Sequence, residues 1–75
     1  MQYKRIVVLA ARDQDTLERS GADVESDYFT NLVDAKRYAR YVLTEQYQRV
    51  CEASERIGYA QVLVNGNCVY DVFAS

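Results

Sequence analysis

The stretch "YAQVLVNGNCVYDVF", residues 59–73, constrains this chain more than any other. Asn65-Gly66 is the preferred central pair of a type I′ turn, because both positions need positive φ. That pair joins a strand over 59–64 to a strand over 67–73. A two-residue turn also sets a register, in which Val62 faces Val69 and Leu63 faces Cys68. Both faces of this hairpin are apolar: Ala60, Val62, Val64, Val69 and Phe73 on one, Tyr59, Leu63, Cys68, Tyr70 and Val72 on the other.

The N-terminal run "YKRIVVLAAR" has the same property. Ile6, Val8 and Ala10 alternate with Val7, Leu9 and Ala11, so the strand they form is covered on both sides. Lys4 and Arg5 before an apolar run are similar to a signal peptide, but the run is short and Arg12 and Asp13 follow it without a cleavage-like pattern. No stretch approaches the length of a membrane-spanning helix. The expectation is a soluble, cytoplasmic protein of one small domain, 1–75, with no membrane partner.

Between these strands, "DQDTLERSG" carries turn formers and reads as a loop with one helical turn near Thr16 to Arg19. "ADVESDYF", 22–29, reads as a further strand with Asp23, Glu25 and Asp27 on its wet face and Val24, Ser26 and Tyr28 opposite. A long helix is predicted next, from an N-cap at Thr30 to about Arg56, with Gly58 as its stop and Asp34 near its positive end. Glu45–Arg49 and Glu52–Arg56 are spaced as i,i+4 ion pairs. The fold class is therefore α+β: a sheet of three or four strands, β-α-β-β or β-β-α-β-β, with one long helix on one face and a C-terminal Asn-Gly hairpin. One helix covers one face only. Either residues 13–28 fold beneath the other face, or another chain does, as a second copy in a homodimer or as an obligate partner.

At 100° per residue, Leu32, Ala35, Ala39, Val42, Leu43, Val50, Ala53 and Ile57 make the core stripe of that helix. Tyr38 falls on the edge of the stripe and Tyr47 on its other flank. Tyr41 falls nearly opposite, beside Arg37, Thr44 and Gln48. Gln46 falls near the stripe's centre. There a glutamine needs backbone hydrogen bonds, an irregular helix, or a position beyond the sheet edge.

Charge is unevenly spread. Net charge is −2, but residues 13–34 hold seven acids against Arg19 alone and sum to −6, leaving +4 elsewhere. There is no histidine, so the commonest general base and metal ligand is missing. The glycines stand singly at 21, 58 and 66, without a phosphate-binding loop. "DVESD" lacks the glycine and distal glutamate of a calcium loop. Cys51 and Cys68 read as two reduced thiols, one bridge between them being the formal alternative. No cofactor, no metal and no enzymatic activity are expected.

The segments "DYFTNLVDAKRYARYV" and "VLVNGNCVYDVF" together resemble short proteins of phages and mobile elements, the anti-CRISPR inhibitors among them. The resemblance covers half of the chain by pattern and has no diagnostic motif, so no family residue is carried over. It implies a non-catalytic inhibitor that binds a host defence nucleoprotein complex. Read from the residues, the partner-binding surface is the acidic set Asp13, Asp15, Glu18, Asp23, Glu25 and Asp27 with Arg37, Tyr38 and Tyr41, since interfaces concentrate tyrosine and arginine and acids steer association with a basic partner. The alternative is a homodimeric structural or regulatory protein with weak nucleic-acid contact through Lys36, Arg37 and Arg40, where bases and aromatics interleave.

Overall fold

The structure, a computed structural model, describes residues 5–50 and 56–74. The order of elements is β1 (Ile6–Ala11), α1 (Gln14–Ser20), β2 (Val24–Phe29), α2 (Leu32–Tyr41), α3 (Glu45–Val50), β3 (Tyr59–Val64) and β4 (Asn67–Phe73). The four strands form one antiparallel sheet in the order β2-β1-β3-β4. The fold is α+β, and residues 22–29 do supply a strand.

β1 is the inner strand that its composition demands, with Ile6, Val7, Val8, Ala10 and Ala11 all buried. α2 packs on the face carrying Ile6, Val8, Ala10, Val24, Ala60 and Val62. Ala35 and Ala39 have no exposed surface, so the helix backbone approaches the sheet closely there. α1 lies on the opposite face, because its buried Leu17 meets Ala11 and Tyr59, which alternate with Ala10 and Ala60.

The region expected as a loop around residues 13–20 is thus a helix. Asp13 caps it: a side-chain oxygen accepts from the Thr16 N–H at 2.7 Å. That bond holds the Asp13 carboxyl below its ordinary pKa. Gly21, at φ 89°, closes the helix by donating its N–H to the Leu17 carbonyl at 3.1 Å.

The single long helix is two helices. Asn31, not Thr30, is the N-cap of α2. Its Oδ1 accepts from the Asp34 N–H and its Nδ2 donates to the Asp34 carboxylate, both at 2.9 Å. Three residues after Asn31 stands Asp34, whose carboxylate answers the cap in return; three residues after Thr30 stands Val33, which has no polar group to do so. α2 ends where Leu43 and Thr44 donate back to the carbonyls of Arg40 and Tyr41, three residues earlier. Thr44 Oγ1 then donates to the Tyr41 carbonyl at 2.7 Å and accepts from the Tyr47 N–H at 3.3 Å. One hydroxyl closes α2 and opens α3, the local competition with the helical ladder that threonine offers.

The break changes the helical phase of α3. Gln46 is exposed. Gln48, expected on the outer face beside Tyr41, is half-buried and binds backbone: Nε2 donates to the carbonyls of Val42 (3.1 Å) and Ile57 (3.0 Å), and Oε1 accepts from the Ile57 N–H at 2.9 Å. Glu45 meets Arg56 at 3.7 Å. The expected Glu45–Arg49 and Glu52–Arg56 pairs, and Val50, Cys51 and Ala53 as stripe and thiol positions, rest on side chains outside those described. Gly58 is not a helix stop. It sits where strands converge, donating to the Ala11 carbonyl and accepting from Ala74, and a Cβ there would strike the Arg12 carbonyl.

The hairpin turn has the expected geometry, with Asn65 at φ 52° and Gly66 at φ 87°. Asn65 also binds the backbone of Arg5 in both directions, tying the turn to the start of β1. Leu63 faces Cys68 as predicted, but Val62 faces Tyr70 rather than Val69. Val69 is an extra residue, a bulge, and beyond it the faces of β4 exchange. Tyr70 and Val72 pack toward α2 with Val62, while Phe73 joins Tyr59 on the α1 side, ring centroids 4.8 Å apart. β2 is bulged too: Ile6 pairs with Phe29 and Val8 with Ser26, leaving Asp27 and Tyr28 opposite Val7 alone.

Candidate interaction surfaces

The composite surface expected from sequence divides into two, one on each side of the sheet. On the α2 side, the bulge in β2 lets consecutive residues Tyr28 and Phe29 stack at 4.5 Å. Tyr38 lies against both, at 6.2 and 5.3 Å, and continues to Tyr41 (6.2 Å) and Tyr47 (6.4 Å). Tyr41 and Tyr47 meet edge to face at 5.4 Å. The result is one connected strip of five rings. Phe29, Tyr38 and Tyr47 are half-buried along its base, whereas Tyr28 is 68% and Tyr41 38% exposed. Tyr28's hydroxyl is pushed above its ordinary pKa by burial first and by the neighbouring Tyr38 second.

The other flank of α2 is cationic. Lys36 Nζ stands 5.3 Å from the centre of the Tyr70 ring, and Arg40 reaches the Tyr70 hydroxyl at 3.4 Å. Arg37 is exposed between these cations and the rings. The acid of this helix, Asp34, is held in the Asn31 cap.

The acids lie on the other side. Asp13 caps α1, Asp15 pairs with Arg19 at 3.2 Å, and Asp23 is exposed where β2 begins. Glu25 is paired across from Leu9, on the α1 face, and Asp27 is 3.9 Å from Arg5. α1 has two turns and one buried residue, so it covers only one end of this face. The remainder is an open groove of about 380 Å³, floored by Val7, Leu9 and Leu63, with Leu17 and Ala22 along one side and Glu18, Glu25 and Arg5 at its rim. Residues 13–28 therefore do fold beneath the second face, but only in part. Sequence flags the acids and the apolar face separately; folding makes one the rim of the other.

Two further features have bearing on chemistry. Tyr59, 2% exposed, donates to Asp71 at 3.3 Å, and its pKa is pushed up to about 12 by burial first and by that carboxylate second. A wider cavity, about 750 Å³, is lined by Arg12, Arg40 and Arg56 with Glu45 and Gln48, and its Arg56 and Glu45 face one another. Among the described residues no three His, Cys, Asp or Glu side chains converge as metal ligands would. Nor does any helix among them have the length and apolarity to cross a membrane. Cys68 is an exposed thiol on β4.

Sequence reasoning does not place Tyr28, Phe29 and Tyr47 on one surface with Tyr38 and Tyr41. Their abundance is readable, seven tyrosines and two phenylalanines in 75 residues, but their convergence depends on the β2 bulge and the α2–α3 break. Compared with known proteins, the chain matches no family model, no curated sequence and no solved structure.

Proposed function

We propose that this protein is a non-catalytic interaction module whose acid-rimmed groove receives a basic, amphipathic segment of a partner protein. The observation that carries this reading is the coincidence of an uncovered apolar strip with carboxylates at its edge. Leu9 and Leu63, half-buried on the groove floor beside the buried Val7, offer apolar area, worth about 25 cal/mol per Å² removed from water. Glu18, Glu25 and Asp27 repel acidic competitors and steer a basic partner, which raises the on-rate and specificity more than the affinity. Arg5, a cation at the rim beside Asp27, opposes this field and sets which end of a basic segment is favoured. The resemblance of residues 27–42 and 62–73 to small inhibitors of phages and mobile elements makes a host nucleoprotein complex the natural source of such a partner.

The test is retention of lysate proteins on immobilised wild type and on two variants, Glu18→Lys/Glu25→Lys and Leu63→Glu, each first checked for folding by circular dichroism. A basic protein held stoichiometrically by wild type and released by both variants is the expected result. Equal retention by all three refutes the groove as the site. If wild type retains only itself and is dimeric by light scattering, a second copy covers the face, and the homodimer reading replaces this one.

A further inference from the structure

We infer that the opposite face, along α2, is a binding platform for single-stranded nucleic acid. The ring strip and the cations form two parallel tracks. Tyr28, Tyr38 and Tyr41 run on the β2 side; Lys36 and Arg40 stand on the β4 side above Tyr70; Arg37 lies between, one helical turn from Tyr41. Unpaired bases stack on aromatic faces, and phosphates follow cations beside them. The two exposed rings are the ones left with free area for a base, while Phe29, Tyr38 and Tyr47 brace them from below. Bracing matters because a ring already held against its neighbours loses little freedom when a base lands on it.

Sequence alone argues against a polyanion, since residues 13–34 are strongly acidic. The fold removes most of that objection. Asp13, Asp15, Glu18, Glu25 and Asp27 belong to the α1 side, with the sheet between them and α2. Packed layers stand about 10 Å apart. That separation exceeds the Debye length of about 8 Å at physiological ionic strength. A strand lying on α2 meets Lys36, Arg37 and Arg40 at close range; Asp34, the acid of that helix, lies at its first turn and is engaged by the Asn31 cap, and the α1-side acids act only through screening salt. Duplex is the poorer ligand, because its bases are already stacked on one another.

The experiment is fluorescence anisotropy with a 5′-labelled oligothymidylate of about 12 nucleotides. Wild type is expected to bind with an affinity that falls as salt rises, with a log–log slope near −2 for about three neutralised phosphates. Tyr28→Ala, on a side chain too exposed to unfold the protein, is expected to weaken binding at least about fivefold. Tyr41→Ala is expected to do the same, and Arg37→Gln to reduce the slope by about 0.7. Absence of wild-type binding at low salt overturns the inference. So does salt-sensitive binding that ignores both tyrosine substitutions, which is adventitious attraction of a polyanion only, or equal affinity for a duplex of the same length. The groove reading is independent of each of these outcomes.

Discussion

Gln48 ties the end of α2, at Val42, to Ile57 at the approach to β3, and removing its amide tests that assignment directly. In Gln48→Ala the carbonyls of Val42 and Ile57 and the N–H of Ile57 lose their partner. A hydrogen bond of this kind has a net worth of about 1 kcal/mol, and an abandoned buried group costs about 1–3 kcal/mol. The site is half-buried and Ile57 is 2% exposed, so water reaches part of it. We expect a loss of about 2–3 kcal/mol in urea titration. For a chain of this size that lowers Tm by roughly 10–20 °C. Gln46→Ala is the internal control: an exposed side chain two residues away, expected to change stability by no more than about 0.5 kcal/mol. Gln48→Glu keeps an acceptor for the Ile57 N–H but sets a carboxylate against two carbonyls. It is expected to be as damaging as alanine at neutral pH and to recover in part when protonated in acid. If the Gln48 and Gln46 alanine variants melt together, the tie contributes nothing and the account of the α3 turn is wrong.

The same geometry sets three further outcomes. Asn31→Ala should cost about 1 kcal/mol and Thr30→Ala no more than about 0.5 kcal/mol, because only the first opens the α2 cap; paired chemical melts decide it. Gly58→Ala should destabilise by about 3 kcal/mol, at the upper end of overpacking costs, since the new methyl meets the Arg12 backbone carbonyl rather than a flexible side-chain end; a urea titration beside wild type measures it. Tyr59 holds its proton to about pH 12 in the folded chain but to about 10 when unfolded, so its contribution is complete below pH 10 and is lost as pH rises toward 12. Wild type should therefore lose stability more steeply than Tyr59→Phe across that window, and parallel curves would show that the buried phenol is not the cause.

The parts of this fold that are legible in the sequence are those with a strict local code. Asn65-Gly66 dictates its turn because few residues tolerate positive φ, and the double apolar faces of β1 demand cover on both sides. The illegible parts are places where two local solutions compete closely. Thr30 and Asn31 are both good caps; Asn31 prevails because Asp34 can bond it in return. The helical period runs unbroken on paper from 32 to 57, and a single threonine hydroxyl interrupts it at 44. With the phase lost there, a period count puts Gln46 inside and Gln48 outside, the reverse of the fold. The strip of rings is hidden for the same reason, since Tyr47 lies beyond the break.

The two bulges show how such local events create the candidate sites. A strand alternates its side chains strictly, so Tyr28 and Phe29 ought to point apart, as should Val69 and Tyr70. Each bulge suspends alternation at one residue. In β2 it brings two aromatic rings to the α2 side. In β4 it places Val69 beside Ile6, Leu32 and Val64 and still leaves Tyr70 packed on the α2 side under Lys36. Both bulged strands are the edges of the sheet, where an inserted residue also disturbs the row of free N–H and C=O groups that another strand would need. Glu25 and Asp27 further oppose pairing of β2 with its own copy, by setting carboxylates against carboxylates. The same insertions that widen the α2 face therefore discourage assembly through the sheet edges. They leave the two broad faces, one apolar with an acidic rim and one aromatic with a cationic flank, as the surfaces proposed for binding.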